Sequence, residues 1–294
     1  MRLVLLLLCT LAISGCVRHL GAPEGEPPAL PDYDVAVIED RVYTPDDWPQ
    51  ALHADIYRPE PPGRYPTVLM VHGGGWERRS PEDTAGLARQ LAEQGFVVVN
   101  IEYRFAPEYT FPAQLHDLQM AMRWLHVHAD DYGIDRSRVG AWGYSSGAHL
   151  VTLLATVAAD TDSPLNEPYG GPVTRPRAVV AGGTPTDLRK FEGGTLVPQF
   201  LGGPQESNAA IYAAASPVTH VGADTPPHLL YHGTLDSVVP VDHAEDYRTA
   251  LNANGVDNEL LLLRGKGHVA AFLFSGAAED AGAAFLARTL TPAH

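Results

Sequence analysis

Short, unbroken apolar runs constrain this chain most. They are Thr67-Val-Leu-Met-Val71, Phe96-Val-Val-Val-Asn-Ile101, Arg138-Val-Gly-Ala-Trp142, Ala178-Val-Val-Ala-Gly-Gly183, His228-Leu-Leu-Tyr-His232 and Glu259-Leu-Leu-Leu-Leu263. None alternates polar with apolar, so each reads as a strand buried on both faces. Helical patterns separate them. Ser80-Pro-Glu-Asp83 is a helix start, Leu87 and Leu91 share a face, and Gly95 ends that helix. Leu115, Leu118, Met122 and Leu125 recur at helical spacing from Pro112 to about residue 128. Further helices are expected over 146–157, 241–254 and, as one piece, 270–288. Residues 35–43 and 52–57 read as two early strands, a hairpin at a sheet edge. Buried strands alternating with helices predict an α/β fold, a mainly parallel central sheet with helices on both faces. The 294 residues suit one large domain, and in such sheets the sites lie at the carboxyl ends of strands.

The first residues read as a targeting segment. Arg2 is followed by an apolar run over 3–13, of secretory length and too short for a comfortable membrane span. Ile13-Ser-Gly-Cys16 resembles the bacterial lipoprotein signal, the lipobox. The resemblance implies a signal peptide over 1–15, cleavage before Cys16, and a lipid anchor on Cys16 that ties an exported protein to the cell envelope. Val17 is not the aspartate associated with inner-membrane retention, which favours the outer membrane if the source is Gram-negative. The two cysteines are Cys9 and Cys16, so the domain beyond them has no thiol for catalysis, metal binding or a disulfide. Residues 16–31 read as a flexible tether and 32–294 as the catalytic domain. With 35 acidic and 20 basic residues the net charge is −15, which excludes nucleic acid and anionic headgroups as charge-driven partners.

Gly143-Tyr-Ser-Ser-Gly147 fits G-x-S-x-G, follows the strand 138–142 and opens a helix. Small residues two before and two after the nucleophile relieve the crowding of such a turn. Gly143 and Gly147 flank Ser145 in this way, whereas Ser146 would have Tyr144 and Ala148. A serine needs a base, and His268, in the loop after the last strand, is the best placed of 13 histidines. The acid must orient that histidine. Asp236, just beyond the strand 228–232, is the favoured candidate; Asp187, after the preceding strand, is its competitor and could instead cap a turn. His72-Gly-Gly-Gly-Trp76 follows the strand 67–71 and reads as an oxyanion loop, with the N–H of Ser146 as a further donor. His126, His128 and Asp130 straddle a helix end without converging, so solvated polar residues are expected there in place of a metal site.

Taken in order, HGGGW, NIEYRFAPEYTFPAQLHDL, GYSSG, HGTLDSVVP and GKGH resemble the α/β-hydrolases of the hormone-sensitive-lipase-like group, nearest its compact carboxylesterase and acetyl-esterase branch of BD-FAE type. The resemblance implies the nucleophile at Ser145, the acid at Asp236, the base at His268, and oxyanion donors at the N–H groups of Gly74, Gly75 and Ser146. It implies an ester substrate of small-molecule size and no cofactor, with an amidase, formamidase or exopeptidase as the alternative on the same fold. Tyr103-Arg104 and Pro107-Glu108 resemble a segment that braces the oxyanion loop. Ser146 stands where many relatives have alanine. Only residues 184–225 could form a small or partial lid, which suggests an open site and short acyl groups. Trp76 and Tyr144 flank the catalytic loops and either line the substrate pocket or simply pack.

Overall fold

A computed structural model describes residues 17–290. The expected signal peptide over 1–15 and the lipidation site Cys16 lie outside the described residues. The strands are β1 (Val17–Leu20), β2 (Val35–Val42), β3 (His53–Pro59), β4 (Tyr65–Val71), β5 (Val97–Ile101), β6 (Ile134–Tyr144), β7 (Val179–Gly182), β8 (His228–Gly233) and β9 (Asn258–Leu263). The helices are α1 (Ala85–Glu93), α2 (Ala113–Val127), α3 (Ala129–Tyr132), α4 (Ser146–Ala159), α5 (Leu196–Leu201), α6 (Gln205–Ala214), α7 (Asp242–Ala253), α8 (His268–Leu273) and α9 (Gly276–Leu290).

The nine strands among the described residues form one sheet, in the order β1-β9-β8-β7-β6-β4-β5-β3-β2. From β9 to β5 every pairing is parallel, and β1, β3 and β2 close the edges antiparallel. The inner strands are apolar throughout because each face meets helices. Leu69, Val71, Ala141, Ala181 and Leu230 point into a core shared with α2, α4 and α7. Their neighbours Val68, Met70, Trp142, Val180 and Leu229 point into a second core with α1 and α9. Alternate residues serve opposite faces, as the period of a strand requires. This is the α/β-hydrolase fold.

Two expectations change. Residues 17–20, assigned to the tether, are the edge strand β1, paired with β9 from Val17↔Leu263 to Leu20↔Leu260. The open edge of β9 supplies the partner, and His19 Nε2 fixes the register at 2.7 Å from Glu259 Oε2. Further on, Leu30 packs against the second core. The single helix expected over 270–288 is two, α8 and α9. Phe274 leaves the helical region at φ −126°, ψ 46°, and the Ser275 carbonyl then accepts the N–H of Glu279 to start α9.

Candidate active site

β6 runs into α4 through Ser145, whose backbone is held at φ 54°, ψ −120°. That conformation costs a non-glycine residue roughly 1–3 kcal/mol and persists only where surroundings over-determine it. Here the Ser145 N–H donates to Gly182 O at 2.8 Å, and its carbonyl accepts the N–H of His149 at 2.9 Å. The flanking glycines are required by space. A Cβ on Gly147 would lie 2.1 Å from Val71 O, and one on Gly143 would lie 2.4 Å from the Gly147 carbonyl carbon. The strained turn therefore belongs to Ser145 and not to Ser146.

The loops after β8 and β9 interlock beside it. Thr234 N–H donates to Leu263 O (3.1 Å), Leu235 N–H to Lys266 O (3.0 Å) and Gly265 N–H to Thr234 Oγ1 (3.0 Å). This brings Asp236 and His268 together. His268 Nδ1 is 2.6 Å from Asp236 Oδ2, and His268 Nε2 is 2.9 Å from Ser145 Oγ. Asp236 Oδ1 accepts the N–H groups of Val238 and Val239 at 2.9 and 2.8 Å. Burial pushes the Asp236 carboxyl up, but hydrogen bonds from His232, His268 and Val239 outweigh it and hold the group well below the usual carboxylate range. It stays an anion, and an anion at Nδ1 fixes the tautomer that leaves Nε2 free to accept a proton. Asp187 is elsewhere: it caps a turn by accepting the N–H of Arg189 (3.1 Å) and pairs with that guanidinium (2.7 Å).

The glycine loop after β4 lies against Ser145. A Cβ on Gly73 would be 3.4 Å from Ser145 Cβ. Gly74, Gly75 and Trp76 follow with φ of 124°, 66° and 61°. The N–H groups of Gly74 and Gly75 donate to no other protein group among the described residues. Ser146, first residue of α4, has no intrahelical acceptor for its N–H and sits at the positive end of the helix. These donors can receive an oxygen carrying negative charge. The segment after β5 braces the loop: Ala106 N–H donates to Trp76 O (2.8 Å), and Tyr103 stacks on the His72 ring with centroids 4.5 Å apart. Arg104 is tied to buried Asp117 at 2.8 Å. Tyr103 Oη also lies 3.4 Å from Ser146 Oγ. A neutral hydrogen bond of that length contributes about 0.5 kcal/mol. Ser146→Ala is therefore expected to keep kcat/KM on a soluble ester within about threefold of wild type. A loss as large as that of Ser145→Ala would move the elbow to Ser146.

Trp76 and Tyr144 are both largely buried and packed against their neighbours. Trp76 is 3% exposed, with its indole stacked 4.5 Å from Phe200 of α5. Tyr144 donates its hydroxyl to His268 O (2.6 Å) and lies among Tyr231, His268 and Phe272, so it positions the histidine. His149 was not anticipated. It accepts Trp76 Nε1–H at Nδ1 (3.2 Å) and lies 2.7 Å from Ala215 O through Nε2, joining the elbow helix to the glycine loop after β4 and to the chain after α6. Its spacing of four from Ser145, on a helix face that points back toward the elbow, was the available signal. Residues 184–225 carry α5 and α6, and Leu196 of α5 would come within 3.1 Å of a Cβ on Gly75. At the other end of the sheet, Asp130 pairs with Arg64 (2.6 Å) and Arg136 (3.1 Å), while His128 meets Asp131 (2.9 Å).

Known proteins share this arrangement of strands and loops. The BD-FAE family model matches residues 54–251. "Probable carboxylic ester hydrolase LipM" of Mycobacterium tuberculosis is 32% identical over 213 residues, which are 68% of this chain and 49% of that protein. The chain spans about half the length of the curated relatives it matches. A solved carbohydrate esterase from gut microbiota, in truncated form, superposes with a TM-score of 0.77 at 22% identity, covering 91% of this chain and all of that one. Esterase 2 of Thermogutta terrifontis, solved after phosphoramylation by tabun, superposes with a TM-score of 0.72 at 25% identity, covering 90% and 98%.

Proposed function

The chain belongs to the BD-FAE family, and from that premise we propose that it is a serine carboxylesterase acting on short-chain acyl esters. One observation carries the reading: a single imidazole lies 2.9 Å from the Ser145 hydroxyl on one side and 2.6 Å from the Asp236 carboxylate on the other. His268 Nε2 takes the hydroxyl proton as Ser145 Oγ attacks the ester carbonyl. The carbonyl oxygen becomes an oxyanion, received by the N–H groups of Gly74, Gly75 and Ser146, each worth roughly 2.7–4 kcal/mol in such sites. His268 then protonates the departing alcohol. Water, deprotonated by the same imidazole, releases the acid and restores Ser145. Asp236 stabilises the imidazolium in both halves and carries no proton itself.

The short-chain preference is supported by Leu196 and α5, which lie close over the oxyanion loop. Across p-nitrophenyl esters from acetate to palmitate, kcat/KM is expected to be highest at two to four carbons. A maximum at long chains contradicts this preference. Matched ester and amide substrates test the bond: faster amide turnover would make the chain an amidase.

Export and anchoring through Cys16 complete the proposal. They are supported by the lipobox resemblance and by the lack of cysteine after residue 16. Metabolic labelling with palmitate should mark the wild-type chain and leave Cys16→Ser unmarked; equal labelling would remove Cys16 as the site.

A further inference from the structure

Ten large apolar side chains are exposed among the described residues, and six of them belong to one end of the molecule: Val17, Leu235, Val238, Val269, Leu273 and Phe274. Four are more than 60% exposed. Their backbones are joined. Val17 pairs with Leu263, the last residue of β9. Leu235 N–H donates to Lys266 O, and Lys266 Nζ donates to Phe274 O. Val238 hangs on Asp236 Oδ1 through its N–H, and Val269 follows His268. Along α8, Val269 and Leu273 stand four apart on one outward face while Ala271 is buried on the other. The apolar face thus adjoins the loops that carry Asp236 and His268.

Two further observations name its occupant. The first is charge. The chain carries −15 overall, yet in the loop and helix from Arg264 to Gly276 the Lys, Arg, Asp or Glu residues are Arg264 and Lys266, the next acids being Glu279 and Asp280 in α9. Arg264 is exposed. An apolar face carrying local cations matches an anionic lipid surface, which the net charge alone had excluded. The second is where the chain enters. Residues 1–16, including the apolar run over 3–13, lead into Val17, at the carboxyl end of β9. With β1 beginning there, little chain separates residue 16 from the domain. A lipid on Cys16 would hold this face to a membrane.

We propose that the face formed by Val17, the loop of Leu235 and Val238, and α8 with Phe274 docks on an anionic bilayer surface and sets the mouth of the site at the water–lipid boundary. The proposal takes from the functional reading the position of that mouth and the anchoring at Cys16. The probe is a vesicle of phosphatidylcholine and phosphatidylglycerol, mixed with the full chain and with its Leu273→Ser/Phe274→Ser variant. The double variant is expected to lower the vesicle partition coefficient about tenfold or more, with turnover of p-nitrophenyl acetate in solution within about twofold of wild type. Vesicles should also slow amide exchange over residues 235–239 and 268–275. Partitioning unchanged by the variant, or exchange unchanged in those segments, would show that residues 1–16 alone hold the protein and overturns the docking face. The same protection in concentrated protein without vesicles would assign the face to a second copy of the chain and overturns it equally. Soluble-ester turnover is scored apart: its absence in the wild type defeats the esterase reading, while partitioning and exchange still decide the docking.

Discussion

Ser145→Ala is expected to lower kcat on a soluble ester by about 10⁶-fold, and Asp236→Asn by about 10⁴-fold, as in other hydrolases built on three such residues. The difference follows from the geometry. Alanine removes the hydroxyl oxygen that His268 Nε2 faces at 2.9 Å, so no acyl-enzyme can form. Asparagine can keep one contact to Nδ1 but loses the charge that stabilises the imidazolium, and its amide can donate where the carboxylate accepted. Neither change should cost much stability through the elbow itself. Alanine retains the Cβ and the same strained φ of 54°, so circular dichroism and the thermal midpoint should follow wild type. If Ser145→Ala retained more than about a hundredth of the activity, nucleophilic attack by Ser145 would be ruled out.

Acid should destabilise the protein between pH 6.5 and 4 through three buried histidines. His149, His228 and His243 are each held down to about 4, first of all by burial. Each makes short hydrogen bonds in its neutral form: His149 to Ala215 O and Trp76 Nε1, His228 to Pro226 O (2.7 Å), His243 by accepting Thr186 N–H (3.2 Å). Unfolded, each titrates near 6.5. In the window between, the unfolded chain binds more protons than the native one, so stability falls as pH falls and levels off below the folded value. Three groups lose about 5 kcal/mol between pH 7 and pH 5, a large part of the 5–15 kcal/mol typical of a domain. The guanidinium midpoint should therefore drop steeply across that interval and change little between pH 7 and 8. A midpoint flat from pH 7 to 5 would mean that these histidines are charged or hydrated in the native state.

The convergence of Ser145, Asp236 and His268 was legible in the sequence because each is tied to its own strand end. Gly143 and Gly147 announce Ser145 through backbone crowding, and that crowding is local. Asp236 and His268 each follow a short apolar strand, so their convergence needed only the parallel order of β8 and β9. The competition with Asp187 was open until Arg189 was seen to occupy its carboxylate.

What the sequence hid depends on distant partners. Val17–Leu20 is too short to declare itself a strand; it forms one because β9, some 240 residues later, offers an unpaired edge. Trp76 could not be told from a pocket residue until Phe200 covered its ring. Even where the pattern was continuous, as over 270–288, Phe274 broke it by backbone conformation alone.

The most direct test of the central claim is covalent. A fluorophosphonate is offered to the wild-type chain, to Ser145→Ala and to Ser146→Ala, and the intact masses are measured. One phosphonyl group on wild type and on Ser146→Ala, with none on Ser145→Ala, is the result expected if Ser145 is the activated nucleophile of an esterase. Labelling of Ser145→Ala to the same extent as wild type would contradict it.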